Sequence, residues 1–517
     1  MTARRSSGTR RRDRTRFTPR RWLPFLVLGA LVVTSVVLQR GDEPAADPGA
    51  ASDDLVTVLP AVASPGALST AWFCGGGSAE GGAGLAEMTI VIANDAPRGA
   101  TADVTVYDDR DGRSTESVDV PAFGRARVSA RSVHAGEWVA ATVDVRGGRA
   151  AVDREVKGPL GFDVAPCATA AANQWYVPSG STLRGAQEYL AVFNPFPDDA
   201  SVNIDFATET GARQPKLLQG LSVPGQSLRM VRVGDTVTAR ARIAAKVRTR
   251  AGRVVVDRVQ LYDGTGDEVA GAGVVTPTPA PRGLVSGPAV SALASRWYFT
   301  GGAVSAGGRN QVALYNPSDR DAPVDVAFTY ERPAANPPTE PIQLTVPAGE
   351  QVVADFTEDQ TLVPDVAFAV DVRSLDDVGV VAERLAFASA PATQLGASAV
   401  TGSPVAASRW LLTQGGPSQA RSASVVVANP GPRATRVRVF EIGGGTRRPV
   451  AAASVTVPAG DRRPLDVAGV GAAATLDVMA TDPVIVSYRL AQSDGNGVAL
   501  ASAEPFPETL ARLPPTG

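Results

Sequence analysis

The chain has 517 residues, 44% apolar, 20% charged and 6% aromatic, with 52 Gly, 40 Pro and a net charge of −2. That is the composition of folded, turn-rich protein, and it excludes a disordered chain and a polytopic membrane protein. One His (His134) and two Cys (Cys74 and Cys167) force any Cys/His zinc site or Ser-His-Asp triad through a single imidazole.

Charge is uneven along the chain. Residues 1–21 hold nine Arg and one Asp, a local +8 that leaves −10 for the remainder. From Trp22 to Gln39 run 18 uncharged residues, which as a helix span about 27 Å against a hydrocarbon core of roughly 30 Å. Beyond it, Asp42, Glu43, Asp47, Asp53 and Asp54 follow a single Arg40. The positive-inside bias then places the N-terminus in the cytoplasm and the remaining chain outside. The expectation is a cytoplasmic Arg-rich tail (1–21), a transmembrane signal-anchor helix (22–39) that meets the membrane, and a Pro/Ala/Asp stalk (40–57). The alternative is a secreted protein after signal cleavage, but the basic region is long, the apolar run exceeds the usual length, and no clean Ala-x-Ala site follows. A twin-arginine reading of Arg20-Arg21 and a nucleic-acid role for the tail are weaker, because Arg runs beside a span commonly set topology and meet anionic lipid. No nucleic-acid partner is expected.

Four copies of one module follow, the strongest signal in the sequence. Each opens at a tryptophan: Trp72-Phe73-Cys74-Gly75-Gly76, Trp175-Tyr176-Val177-Pro178-Ser179-Gly180, Trp297-Tyr298-Phe299-Thr300-Gly301-Gly302 and Trp410-Leu411-Leu412-Thr413-Gln414-Gly415-Gly416. An apolar run then ends at Asn94, Asn194, Asn316 and Asn429, and in three copies Pro follows the Asn and turns the chain out of helix. Next comes an alternating strand, such as Val202, Ile204 and Phe206 with Asn203 and Asp205 between them, apolar on one face and polar on the other. Turns at Val120-Pro121, Val223-Pro224, Val346-Pro347 and Val457-Pro458 lead to a closing strand that carries Arg154, Arg258, Arg384 and Arg489.

Units of roughly 105 residues with short strands and frequent turns predict β-sandwiches, whereas propeller blades are usually about 40 to 50 residues long. The predicted fold is all-β: four tandem Ig-like β-sandwich repeats, preceded by one N-terminal transmembrane helix. The repeats span 58–168, 169–275, 290–398 and 403–506, with a Pro-rich linker at 276–289, a short joint at 398–403 and a C-terminal tail at 507–517. They are expected in a row, in two pairs.

The Trp-Tyr-Phe…Gly, Asn-Pro, Val-Pro-Ala-Gly and Val-x-Glu-Arg series resembles the surface β-sandwich repeat of bacterial envelope proteins. Together with one N-terminal anchor, an Ala-Trp-Phe-Cys-Gly first copy and a Lys-poor composition (three Lys, 47 Arg), the arrangement over roughly 22–507 is similar to the actinobacterial family DUF5719. The resemblance implies a secreted or membrane-anchored envelope protein and brings no catalytic residue with it.

On this topology Cys74 and Cys167 lie outside, where thiols oxidise, and a bond between them would tie the two ends of the first repeat. Trp72, Trp175, Trp297 and Trp410 recur beside strand-like residues and are expected as core, with sugar-stacking platforms the rival. The repeat Asn and Arg residues are likewise assigned structural roles. Adjacent strand residues face opposite sides, so Asp153 and Arg154 cannot pair with each other. A glycosidase reading would need two carboxyl groups across a substrate. Asp108-Asp109-Arg110-Asp111-Gly112 reads as a hairpin turn, since Tyr107 stands where a calcium loop needs its first ligand. Gly469-Val470-Gly471-Ala472-Ala473-Ala474 lacks the strand and helix of a dinucleotide site, His134 is expected at the surface or satisfied in a core, and Leu513-Pro514-Pro515-Thr516-Gly517 resembles a sortase signal without the span that should follow.

These readings predict no metal and no cofactor. The expected function is non-enzymatic: a membrane-anchored extracytoplasmic scaffold, spacer or partner-docking array, in contact with envelope proteins or glycans. A glycan-binding protein is the second reading and a carboxylate-based glycan-active enzyme the third. Burial of Trp175, Trp297 and Trp410 separates the first from the second.

Overall fold

In a computed structural model the described residues are 59–82, 84–266, 280–332, 339–357, 359 and 362–514. The expected tail, membrane helix and stalk lie outside them, as do residues 515–517 of the sortase-like motif. Among the described residues no helix is long and apolar enough to cross a membrane.

Module 1 contains β1 (Ser69–Ala79), β2 (Glu87–Asn94), β3 (Ala100–Asp108), β4 (Arg113–Val120), β5 (Gly124–Ser129), a four-residue α1 (Ala130–Val133), β6 (Gly136–Arg146), β7 (Ala150–Gly158) and β8 (Gly161–Pro166). Alternation dictates which face each strand buries: Ala102, Val104 and Val106 of β3 are fully buried while Thr101, Asp103 and Thr105 between them are not, as a period of two requires. The strands pair as β4-β3-β6-β1 and β5-β2-β7-β8. Every pairing is antiparallel except one parallel contact, Ser78 with Glu87, that joins the two sheets. The other three modules repeat both orders. In the fourth, one 18-residue strand, Thr475–Gln492, serves both sheets, its first half pairing Thr435–Gly443 and its second Arg421–Ala428.

Two expectations need correction. Residues 276–289 are not simply a linker: Arg282–Pro288 is the eighth strand of module 2, paired with Val255–Asp263 from Asp263–Arg282 to Asp257–Pro288. Likewise Gly396–Thr401 is the eighth strand of module 3, overlapping the expected joint. Prolines just outside or at the end of a strand cost it little pairing, so Pro-rich flanks concealed a strand.

The second correction is larger, since the modules close a ring instead of standing in a row. The four eighth strands, β8, Arg282–Pro288, Gly396–Thr401 and Val498–Ser502, are neighbours in cyclic order, the last against the first. Each has a glycine at or beside its first residue, Gly161, Gly283, Gly396 and Gly497, where the backbones approach. A Cβ on Gly283 would lie 2.2 Å from Ala397 N, on Gly396 3.1 Å from Val498 N, and on Gly497 3.0 Å from Phe162 N. Apolar clusters cross the module boundaries, with Tyr262 and Val285 against Phe387 and Ala397, Tyr298 and Ala369 against Ala406, Ala428 and Ile485, and Val62, Ala93 and Ala151 against Leu411, Ile442 and Phe506.

Candidate functional site

The repeat landmarks separate by role. The four tryptophans are core: Trp72 is 1% exposed, Trp175 4%, and Trp297 and Trp410 0%. The indole N–H groups of Trp175 and Trp297 donate to Val254 O (2.8 Å) and Val380 O (2.9 Å), and that of Trp410 to Val484 O (3.0 Å). Each buried asparagine ties two turns together. The Nδ2 of Asn194 donates to Asp198 O (2.7 Å) and Val223 O (3.1 Å), while its Oδ1 accepts from Phe196 N (3.1 Å). Asn316 does the same to Arg320 O, Val346 O and Ser318 N, and Asn429 to Arg433 O, Val457 O and Gly431 N. Asn94 bonds Arg98 O, Pro121 O and Ala96 N in the same way. Only a side chain with both an amide donor and an acceptor meets all three demands.

Cys74 and Cys167 are bonded, S–S 2.02 Å, linking β1 to the residue after β8. Phe299 and Gly402 occupy the corresponding positions of module 3, where a Cβ on Gly402 would meet the Phe299 ring at 2.9 Å. His134 Nε2 lies 3.0 Å from Asp108 Oδ2 and its Nδ1 3.2 Å from Ser114 Oγ. Asp108 also caps its hairpin, accepting from Arg110 N (2.8 Å) and Gly112 N (2.7 Å).

The chemistry concentrates where modules meet. The acid and the arginine of a closing dipeptide face opposite sides of their strand, and two of the arginines, Arg154 and Arg258, reach the acid of the next module. Arg154 Nη2 lies 2.7 Å from Asp257 Oδ1 with both side chains fully buried. Arg258 donates to both oxygens of Glu383, at 2.7 and 2.8 Å, and to Ser179 O at 2.7 Å. At the closure of the ring the partners differ. Val425 pairs with Tyr488 where Leu190 pairs with Arg258 and Val312 with Arg384. Tyr488 therefore takes the arginine position in module 4, Ser487 takes the acid position, and Arg489 stands one residue out of register with the other three arginines. The Tyr488 hydroxyl donates to Asp153 Oδ2 at 2.9 Å, which also accepts from Thr413.

Burial governs these groups. It raises Asp257 above the usual carboxylate range, with Arg154 opposing. It raises Asp153, opposed by the Thr413 and Tyr488 hydroxyls, and it lifts Glu504 well above its ordinary value with the Asp153 carboxyl adding to the effect. Burial pulls Arg258 down, but the Glu383 carboxylate outweighs it and the net shift is upward. Arg384 moves the other way, down to about 10, through burial and then through the like charges of Arg462 and Arg489. Glu188 is pushed up to about 8 by burial, with Arg258 opposing and Glu383 adding.

Sequence reading found the arginines but missed three things: their partners Asp257 and Glu383, the slip at Tyr488, and the axial glycines. A signal existed, since Gly161, Gly283 and Gly396 each lie 14 residues before the next tryptophan. Among the described residues no group of three His, Cys, Asp or Glu could hold a metal.

Fold and interfaces define a four-module all-β repeat protein. Residues 154–295 and 282–511 match the family of unknown function DUF5719, and the chain belongs to that family. Among solved structures it is similar to the Anabaena sensory rhodopsin transducer (24% identity, TM-score 0.16, covering 17% of this chain and 93% of that one). It is also similar to a tetra-tandem repeat in the extending region of a large adhesion protein (12% identity, TM-score 0.11, covering 82% and 94%). Neither TM-score bears on the fold. No curated protein matches the chain.

Proposed function

We propose that the protein is a non-enzymatic, membrane-anchored platform outside the cytoplasm, held by residues 22–39 and offering its ring of modules as a docking surface for envelope partners. The observation that carries this reading is the use made of the recurrent residues. The tryptophans fill cores, the asparagines clamp turns, and two of the acid–arginine pairs bolt one module to the next. Resources placed at module boundaries favour a rigid platform over an extended spacer. Sugar stacking on Trp175, Trp297 or Trp410 forms no part of the reading, because all three rings are buried. The disulfide supports an oxidising compartment.

Each module is read as an immunoglobulin-like sandwich. The neighbours β4-β3-β6 and β5-β2 correspond to the C′CF and EB strands of that fold, while β1 and β7 take the two remaining places with first and last strand exchanged. The test is protease treatment of intact cells, followed by mass spectrometry of the N-terminus and of the Cys74–Cys167 peptide. An intact Arg-rich N-terminus with externally cleaved, disulfide-bonded modules is expected. Protected modules with reduced thiols would overturn the reading.

A further inference from the structure

The four module interfaces are built to one plan, and one of them lacks a part. At three, a carboxylate occupies the position before the repeat arginine or its substitute: Asp257 faces Arg154, Glu383 faces Arg258, and Asp153 faces Tyr488. At the boundary between modules 3 and 4 that position is Ser487, whose hydroxyl bonds Thr300. Arg384 is left 6% exposed with Asn310 Oδ1 at 2.6 Å and no carboxylate, and its Nε has no partner. The register slip brings a second cation to the same place. Arg489 shares a strand face with Ser487, being two residues away, and while its backbone pairs in the sheet its guanidinium has no ion-pair or hydrogen-bonding partner among the described residues.

Around these groups lies a cavity of about 310 Å³ lined by both arginines, by Arg462 and Arg309, and by hydroxyls that include Ser398, Thr401 and Ser424, with no Asp or Glu in its wall; Arg309 is engaged by Asp355 at 3.6 Å. Arg462 is itself engaged, with Glu331 at 2.8 Å and Thr300 O at 2.8 Å. Two uncompensated guanidiniums therefore face one space. A buried charge without a partner is costly, and guanidinium forks match phosphate oxygens.

We propose that this cavity binds a small phosphorylated polyol, a sugar phosphate by chemical class, whose phosphate supplies the charge that a carboxylate supplies at the other three interfaces. A phosphomonoester carries about −1.5 to −2 at neutral pH, which answers two cations where one carboxylate answers one. The volume is at the small end of ligand pockets, roughly 300 to 1,000 Å³, and leaves room for a polyol beside the hydroxyls. The inference is independent of the docking role.

The experiment is titration calorimetry of the full-length chain with glucose 1-phosphate, alongside glucose, glucuronate and inorganic phosphate. Glucose 1-phosphate should bind at one site per chain, at least tenfold tighter than glucuronate or inorganic phosphate, and glucose should not bind. Arg489→Gln, at a partly exposed residue, should weaken it at least tenfold. Ser487→Glu restores the missing carboxylate, so it should abolish binding while raising the Tm of the ligand-free chain, which also proves the variant folded. Absence of glucose 1-phosphate binding, equal binding of glucuronate or inorganic phosphate, or unchanged binding in both variants would overturn the proposal.

Discussion

At the scale of single residues, the asparagine clamps and the buried carboxyls make the sharpest predictions. Asn316→Ala removes the side-chain partner of the Val346 carbonyl and the Ser318 amide and leaves the Arg320 carbonyl only the Ser318 hydroxyl. At about 1 to 3 kcal/mol for each buried group left unsatisfied, allowing for water reaching the turn, the loss should be about 2 to 4 kcal/mol by urea denaturation. A loss below about 1 kcal/mol would remove the clamp from the account. Glu188 is fully buried with neither oxygen bonded, and its pKa is about 8 in the folded chain against an ordinary 4.5. The folded state thus holds a proton that the unfolded state releases. That stabilisation is complete below pH 4.5 and is lost as pH rises toward about 8. Glu188→Gln stays neutral at every pH, so its stability should fall less than the parent's across that window. Identical slopes for the two proteins would show that Glu188 does not titrate there. The Trp and Asn landmarks were legible in the sequence because each serves needs within its own module, and the Arg landmarks because they recur at a fixed place on the closing strand. What Arg154 pairs with was not legible, because Asp257 lies more than 100 residues away and only the folded ring brings them together.

Between elements, the ring is held by side chains that reach from one closing strand to the next. Removing one member of a buried pair costs about 3 to 5 kcal/mol, while replacing both with apolar groups of similar size is often near neutral. Asp257→Leu alone should therefore destabilise strongly, because Arg154 is fully buried and its main carboxylate partner would be gone. Arg154→Met combined with Asp257→Leu should recover most of the loss in a double-mutant cycle. A double variant as unstable as the sum of the singles would mean the pair does not act as a unit. The axial glycines give a second check. A methyl group on Gly283 would come within 2.2 Å of the Ala397 backbone, so Gly283→Ala should lower Tm by several degrees, whereas Gly444→Ala, with nothing within 4 Å of its Cβ position, should cost only the strain of its positive φ. The eighth strands were hard to read because Pro281 and Pro288 flank one of them and mimic a spacer, although the 14-residue offset of their glycines was available.

For the whole molecule, module count and strand content followed from the repeat, but ring closure did not. A linear array and a ring place the same strands in the same order. They differ in whether module 4 meets module 1, which rests on contacts such as Thr413 with Asp153 and Val498–Ser502 with β8. The Cys74–Cys167 bond closes a loop with a separation of 93 residues, worth about 4 to 5 kcal/mol in the chain-entropy account, and it stiffens the module on which the ring closes. The most direct measurement is small-angle scattering from residues 59–514. A closed ring predicts a radius of gyration of about 23 Å, the value for a compact chain of that length. Four modules of about 13 Å each laid end to end would give about 40 Å, and that result would contradict the ring.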